Sequence, residues 1–563
     1  MTTLRPVPAV AAMQPYAPRR HPAPIDLDLS GTEAGNPPLD LTGFEPASAG
    51  KYPDSSPLRA WLAASLAVAP DRVLVTAGAD DALDRAFRAM VGPGREVVLT
   101  TPTFEMLPRY AQLSGASVMT VGWPGGPFPL HEVIGALSPR TALIVVVSPN
   151  NPTGAVAALE DLRTIAGAAS AALLVVDLAY VEFADHDPTR QLLEIPNAVV
   201  TRTFSKAWGL PGLRVGWAAG PRDVIGWMRN AGSPYAVSAA SLDLVTTAAK
   251  RGTARPAALV AGVRSRREQL TGLLATLGLG PLPSQANFVC VPASAWLHDA
   301  LAGFGIAVRH FRHADADRIR ITCPSTPESA WRLSHALWTI REPEALLFDL
   351  DGVLADVSRS YRRTIIATGA RFGVTIAPDD IRALKARGNA NDDWRVTWDL
   401  LAARGVDVPL AEVTEAFEEL YQGVGERPGL RQAETLLVSA DWLASLARRL
   451  PIGIVTGRPA ADAHRFLDRW KVRGLMSCCI TRDDGPAKPD PFAVEEAMKR
   501  LGVSRAWLVG DTPDDIRAAR EAGVLPIGVV APGDPPDAAR DVMLRAGASR
   551  VLGQLDQLED LLP

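Results

Sequence analysis

Short runs of purely apolar residues, each ending in a polar or glycine-bearing turn, constrain this chain more than anything else in it. Val73 to Val75 precedes Gly78-Ala79-Asp80. Ala142 to Val147 precedes Ser148-Pro149-Asn150-Asn151-Pro152-Thr153-Gly154. Ala172 to Val176 ends on Asp177, with Tyr180 three positions on. A strand without polar alternation is covered on both faces. These runs therefore read as interior strands of an α/β fold. The pattern returns in Ala345-Leu346-Leu347-Phe348 and in Ile452-Gly453-Ile454-Val455.

Downstream of the first set stands Thr203-Phe204-Ser205-Lys206-Ala207-Trp208-Gly209-Leu210-Pro211-Gly212-Leu213-Arg214. A lysine among small and hydroxylic residues, followed by an arginine, suits an aldehyde cofactor that carries a phosphate. The Lys206 amine bonds the aldehyde, and Ser205 and Arg214 hold the phosphate. The segment resembles the cofactor-lysine motif of fold-type I pyridoxal-phosphate aminotransferases, nearest to the histidinol-phosphate aminotransferase branch. The likeness runs from about Ile25 to Ile340.

That resemblance implies a large, mostly parallel mixed sheet plus a small α/β domain, with pyridoxal 5'-phosphate as cofactor. It implies that Asp177 pairs with the pyridine nitrogen, and that Tyr180 and Asn151 bond the phenolic oxygen. Gly78, Ala79 and Asp80 open a helix whose amides meet the phosphate; Thr203, Ser205 and Arg214 complete that cradle. Phe104, in Pro102-Thr103-Phe104, stacks on the ring. Arg309, Arg320 and Asn287 face the substrate. Tyr52, in Lys51-Tyr52-Pro53, reaches the cofactor phosphate of a neighbouring subunit, which implies a homodimer. Pro211 departs from the branch pattern, where alanine is commoner; proline occurs there in related decarboxylases and other aminotransferases.

The chain has 563 residues, enough for about three to five structural domains. Its 58 basic and 62 acidic residues leave a net charge of −4, so no nucleic-acid footprint is expected. No apolar stretch reaches the roughly twenty residues of a membrane span. Cys290, Cys323, Cys478 and Cys479 have no zinc or redox spacing and suit a reducing cytoplasm. Residues 1–24 are rich in proline and alanine and read as a mobile tail.

A second pattern starts beyond a short linker at 341–345. The strand ending Phe348-Asp349-Leu350-Asp351-Gly352 places two carboxylates on one side of a strand end. Gly352 permits the turn. This resembles the first motif of the haloacid dehalogenase superfamily; Thr456 in Val455-Thr456-Gly457, Lys488 in Lys488-Pro489-Asp490-Pro491, and Gly510-Asp511-Thr512-Pro513-Asp514-Asp515 match the second, third and fourth. The resemblance implies a Rossmann-like core over 346–563 with a helical cap at about 357–445. It makes Asp349 the nucleophile, Asp351 the acid and base, and Lys488 the charge partner. Asp349, Asp351 (through its carbonyl) and Asp511 would ligate Mg2+, with Asp515 in support. In the cap, Arg359-Ser360-Tyr361-Arg362 and Gly388 to Trp394 are specificity candidates. Lys385 raises a phosphonoacetaldehyde hydrolase as competitor, but those enzymes lack the second aspartate, and Asp351 is present.

Residues 25–340 thus read as an aminotransferase and 346–563 as a phosphatase. The expected substrates are a phosphorylated oxo compound, with imidazole-acetol phosphate foremost, glutamate as amino donor, and histidinol phosphate for hydrolysis. Open alternatives are another phosphorylated substrate, a phosphothreonine-type decarboxylase in the first half, or a non-catalytic regulatory second half.

Overall fold

The computed structural model describes residues 6–17, 20–35, 46–312, 317–385 and 392–563. The chain forms two compact units. One holds Met1–Arg19, Leu29–Ser294 and Val308–Ala330; the other holds Arg20–Asp28, Ala295–Ala307 and Trp331–Pro563.

In the first unit the strands are β1 (Val73–Thr76), β2 (Glu96–Thr101), β3 (Ser117–Gly122), β4 (Thr141–Val147), β5 (Leu173–Asp177), β6 (Ala198–Thr203) and β7 (Gly216–Ala219). They form one sheet in the order β1-β7-β6-β5-β4-β2-β3. Only β7 runs against its neighbours. All seven residues of β4 and all five of β5 are buried, as unbroken apolar runs require. One apolar cluster contains Ile144, Val146, Leu174 and Val176, and another contains Leu143, Val145, Leu173 and Val175. Successive residues point to opposite faces, so the sheet is covered on both. A smaller antiparallel sheet joins β8 (Phe288–Pro292), β9 (Arg309–Phe311) and β10 (Arg318–Thr322) in the order β9-β10-β8. In the span expected to be a mobile tail, Pro8–Ala11 form one helical turn, and Tyr16 lies under the guanidinium of Arg109.

The second unit carries a parallel sheet of β11 (Ala345–Phe348), β12 (Ile452–Val455), β13 (Cys478–Ile480), β14 (Ala506–Gly510), β15 (Leu525–Val529) and β16 (Arg550–Leu552), in the order β13-β12-β11-β14-β15-β16. A helical insertion leaves through Ala355–Asp356 and returns through Thr435–Leu436, which pair with each other. Its helices are Tyr361–Arg371, Pro378–Lys385, Asp393–Ala402 and Leu410–Gln422. Gly388 to Asn391, among the specificity candidates, lie outside the described residues. Helix Pro327–Arg341 ends in this unit, where Trp296 meets Trp507 edge-on at 5.8 Å and Arg550 lies 5.1 Å over Trp296. Among the described residues no helix is long and apolar enough to cross a membrane.

Candidate active sites

In the first unit the polar residues flagged by the sequence gather at the carboxyl ends of the parallel strands, where open α/β sheets take their ligands. Asp177 ends β5 and is 4 % exposed. Thr201 on β6 donates to its Oδ1 at 3.0 Å. Desolvation pushes the Asp177 carboxyl up to about 7; the Thr201 hydrogen bond opposes this, and the charge of Asp80 adds to it. Such a carboxylate is returned to its ionised form by a cation beside it.

Lys206 sits in the turn after β6. Its amine donates to Thr32 Oγ1 and lies 5.5 Å over the Tyr180 ring. Desolvation pulls the amine down to about 8, opposed first by Glu33. Tyr180 also donates to Thr32 Oγ1, at 3.3 Å, and Asn287 Nδ2 donates to the Thr32 carbonyl at 2.9 Å. Thr32 is thus the hub of the site, and no local sequence pattern marks it.

The phosphate end is built around Gly78, the first residue of helix Gly78–Met90. Its φ of +80° favours glycine, and a Cβ there would press on the Arg214 guanidinium. A Cβ at Gly216 would strike the backbone of Gly78 and Ala79. Arg214 pairs with Asp80 at 2.8 Å. Thr203 and Ser205 hydroxyls bond at 2.9 Å, and Thr203 also accepts from the Ser205 amide. Phe104 packs beside the second apolar cluster.

Arg320 is 5 % exposed. Its fork donates to Asn151 Oδ1 and to the Ser30 carbonyl, both at 2.6 Å, while its buried Nε has no hydrogen-bond partner among the described residues. Asn287 Oδ1 is likewise without one. Arg309 is engaged by Glu105 and by the Tyr16 hydroxyl at 3.5 Å, so in this structure Glu105 occupies the arginine expected to face the substrate. Tyr52 is 80 % exposed and stacks on Tyr235, itself 53 % exposed, at 4.6 Å.

These donors fit a phosphorylated pyridine aldehyde. Gly78, Ala79, Thr203, Ser205 and Arg214 would take its phosphate, Asp177 its ring nitrogen, Tyr180 and Asn151 its phenolic oxygen, and Lys206 its aldehyde. The orphaned Arg320 Nε suits an anionic substrate group next to it.

In the second unit Asp349 follows β11, Thr456 follows β12 and Asp511 follows β14. Lys488 Nζ contacts Asp349 Oδ1 at 2.6 Å, Asp515 Oδ1 at 2.5 Å and the Val455 carbonyl at 3.0 Å. Burial alone would lower the lysine; the two carboxylates outweigh it and raise it, so it stays an ammonium. Asp515 is fixed by a reciprocal cap, with Thr512 Oγ1 donating to its Oδ2 at 2.6 Å. Carboxylate oxygens of Asp349, Asp511 and Asp515 lie within 4.8 Å of one another. A hard divalent cation fits this oxygen set. Gly352, at φ +75°, has no room for a Cβ against the Asp511 carboxylate.

The Asp351 carboxylate stands outside that group. It is held by Arg458, through Nε at 2.7 Å and Nη2 at 2.5 Å. Both contacts are to Oδ1, and the main-chain carbonyl of Asp351 is the atom that would serve a metal. In the insertion, Arg362 makes a two-pronged pair with Asp534 at 2.7 and 2.9 Å. Asp392 and Trp394 both meet Arg482, at 3.1 Å and at 4.2 Å over the ring. A cavity of 120 Å³ opens beside Asp511, between Arg362, Ile381 and Pro535.

Comparison with known proteins finds a family for each half of the chain. Residues 36–336 match aminotransferase class I and II, and residues 343–523 match haloacid dehalogenase-like hydrolase. An imidazoleglycerol-phosphate dehydratase of Phytophthora nicotianae is 43 % identical over 237 residues, 39 % of this chain and 52 % of that protein. The chain therefore spans about half the length of that relative. A histidinol-phosphate aminotransferase of Paracoccus denitrificans is 36 % identical over 243 residues, 42 % of this chain and 66 % of the relative. An aromatic amino acid aminotransferase of Mycobacteroides abscessus is 33 % identical over 343 residues, 58 % of this chain and 98 % of the relative. The solved structure of a histidinol-phosphate aminotransferase from Sinorhizobium meliloti shares the fold, with 24 % identity, a TM-score of 0.54, and coverage of 60 % of this chain and 99 % of that one. The chain belongs to the class I and II aminotransferases and carries a haloacid dehalogenase-like hydrolase behind that region.

Proposed function

We propose that this chain is a bifunctional enzyme. Its first half transaminates a phosphorylated oxo compound, and its second half hydrolyses a phosphate monoester with Mg2+. The observation that carries this reading is the pair of complete constellations on one chain, around Lys206 and Asp177 and around Asp349 and Lys488. Pyridoxal phosphate, when bound, supplies an electron-accepting ring that eases loss of a substrate proton. Asp177 keeps its nitrogen charged, Arg320 anchors the substrate's anionic group, and Lys206, with an amine brought down to about 8, moves the proton.

In the second half Asp349 attacks phosphorus, Lys488 offsets the crowded charge and Thr456 holds the phosphoryl oxygens. Asp351 gives a proton to the leaving oxygen and later takes one from water. Asp349, Asp511 and the Asp351 carbonyl would hold Mg2+, whose charge would offset that of the phosphoryl group.

The best-supported substrate pair is imidazole-acetol phosphate with glutamate for transamination and histidinol phosphate for hydrolysis. Relatives named for histidinol phosphate support it, and so does a relative named for imidazoleglycerol phosphate. The two activities would be consecutive, and their linkage raises the local concentration of the intermediate where geometry permits transfer. Pro211 and the aromatic amino acid aminotransferase relative favour a second reading, the same chemistries on a different phosphorylated substrate. We further place the enzyme in the cytoplasm as a homodimer joined through the first half, on its four free thiols and on the exposed Tyr52–Tyr235 stack.

The test is to incubate the whole protein with glutamate and imidazole-acetol phosphate or other oxo-phosphates, following new amine and free phosphate separately. Amine formation followed by phosphate release is expected. Phosphate release without amine formation from any oxo-phosphate would overturn the first assignment, and amine without phosphate the second.

A further inference from the structure

Arg458, two residues beyond Thr456, belongs to none of the matched motif positions, yet it is among the most enclosed charges in the chain. Its side chain is 1 % exposed. One edge of the guanidinium faces Asp351 Oδ1: Nε donates to it at 2.7 Å, and Nη2, which makes no hydrogen bond among the described residues, lies 2.5 Å from it. Nη1 reaches Glu434 Oε2 at 2.9 Å and the Tyr421 hydroxyl at 3.4 Å. The cation lies 5.0 Å over the Tyr361 ring and 5.3 Å over the Phe466 ring. Tyr421 donates to the other oxygen of Glu434 at 3.0 Å and packs on Tyr361 at 4.4 Å. The Arg458 amide donates to Thr456 Oγ1 at 3.2 Å.

Apart from Phe466, on helix Ala460–Arg469, the partners come from three places. Asp351 follows β11, and Thr456 follows β12. Tyr361, Tyr421 and Glu434 lie on the helical insertion and its return. A buried ion pair is a poor source of stability, because desolvation costs about what the pairing returns. Its use here is geometric. The directed Nε–H bond with the rest of the rigid guanidinium pressed on the same oxygen fixes where Oδ1 sits and leaves Oδ2 uncontacted by Arg458, which a lysine's rotatable point charge does not do.

We propose that Arg458 is the positioning residue for Asp351, and that it makes the orientation of this acid depend on the seat of the insertion formed by Tyr361, Tyr421 and Glu434. The inference rests on the phosphatase reading above. In the step concerned, an Asp349 oxygen bonds phosphorus, the bond to the leaving oxygen breaks with its electron pair, and the proton of Asp351 goes to that oxygen. Water then attacks phosphorus, gives a proton to Asp351 and frees Asp349. A misplaced Asp351 harms the first half-reaction only when the leaving oxygen needs a proton.

The experiment compares two esters in single-turnover mixing with Mg2+: an alkyl phosphate, and 2,4-dinitrophenyl phosphate, whose phenolate leaves unprotonated. Arg458→Lys keeps the charge and loses the fork. It should slow the alkyl ester by on the order of 100-fold, the scale of general-acid help, while the first-turnover burst of dinitrophenolate stays within about threefold of wild type. Tyr421→Phe keeps the ring, loses the hydroxyl, and should give the same split at about 3- to 10-fold on the scale of a single hydrogen bond. This variant covers the case in which Arg458→Lys fails to fold. Equal losses on both esters in the folded variants, or no loss on either, would overturn the positioning role. Hydrolysis of neither ester by the wild-type chain would sink the phosphatase reading itself, which is a separate outcome.

Discussion

The indole Nε1 of Trp507 donates to the main-chain carbonyl of Thr339 at 2.7 Å, and neither residue is exposed. Thr339 lies in the last turn of helix Pro327–Arg341, where carbonyls have no partner further along the helix. Trp507→Phe keeps a ring and loses the donor, so a buried carbonyl goes unpaired. The expected cost is about 1–3 kcal/mol. It should appear as a lower urea midpoint for loss of phosphate-releasing activity, with KM unchanged. An unmoved midpoint would mean that the carbonyl is satisfied elsewhere.

Asp177 gives the apo-protein a pH signature. Its carboxyl sits at about 7 when folded and near 3.8 when unfolded, so the native state holds the proton longer. Stability from this group therefore falls as pH rises from about 4 to 7 and is level above that. The difference between the plateaus is on the order of 4 kcal/mol. Thermal melts of cofactor-free wild type and Asp177→Asn across this range should diverge, with the wild type losing more stability toward neutrality than the variant, in which the raised Asp349 carboxyl still titrates. Added pyridoxal phosphate should flatten the wild-type slope, because a charged ring nitrogen then faces the carboxylate. Parallel melts for the two proteins would refute the assignment.

Lys206→Ala should lose the visible absorption of bound cofactor and all amine transfer, while phosphate release continues. Normal transamination by that variant would move the cofactor lysine elsewhere.

Asp349→Asn and Asp351→Asn should differ in kind. The first removes the proposed nucleophile and should abolish hydrolysis and any phosphoenzyme. The second should slow both halves of the reaction by roughly 100- to 10,000-fold for alkyl esters, the usual range of general acid–base help. With a leaving group that needs no proton it should let phosphoenzyme accumulate, visible by acid quench with labelled substrate. Chelation should silence phosphate release and Mg2+ restore it; wild-type rates after loss of Asp349 would end this account.

Tyr52, four-fifths exposed, stacks on a half-exposed Tyr235. If its hydroxyl serves a partner subunit, Tyr52→Phe should weaken cofactor retention on gel filtration without changing the sedimentation of the proposed dimer. Full retention would leave Tyr52 with a packing role alone.

The strands and the residues at their ends were legible because both signals are local. A run such as Leu173–Val176 has one way to be buried, and Asp177 then stands where it stops. Thr32 was not legible: it meets Lys206 across 174 positions, from a stretch without regular structure. Arg458 was hidden similarly, since its grip on Asp351 spans 107 positions. The Thr-Gly-Arg sequence offered a faint signal, because an arginine that follows directly on a buried strand end has little water to reach. Arg309 read as open to substrate because no pattern announces Glu105 opposite it.

The chain passes between its two compact units at five points, namely 19/20, 28/29, 294/295, 307/308 and 330/331. The obvious join in the sequence, at 341–345, is not one of them. A gene cut there hands on a hydrolase without Arg20–Asp28, without Ala295–Ala307 and without the helix end that receives Trp507. Exchange of the second half between lineages would leave bare indole and arginine surface to be rebuilt on each side. A cut at 341–345 is therefore expected to destabilise the second unit, so the two proposed activities should separate more cleanly by point substitution at Lys206 or Asp349 than by deletion of a segment.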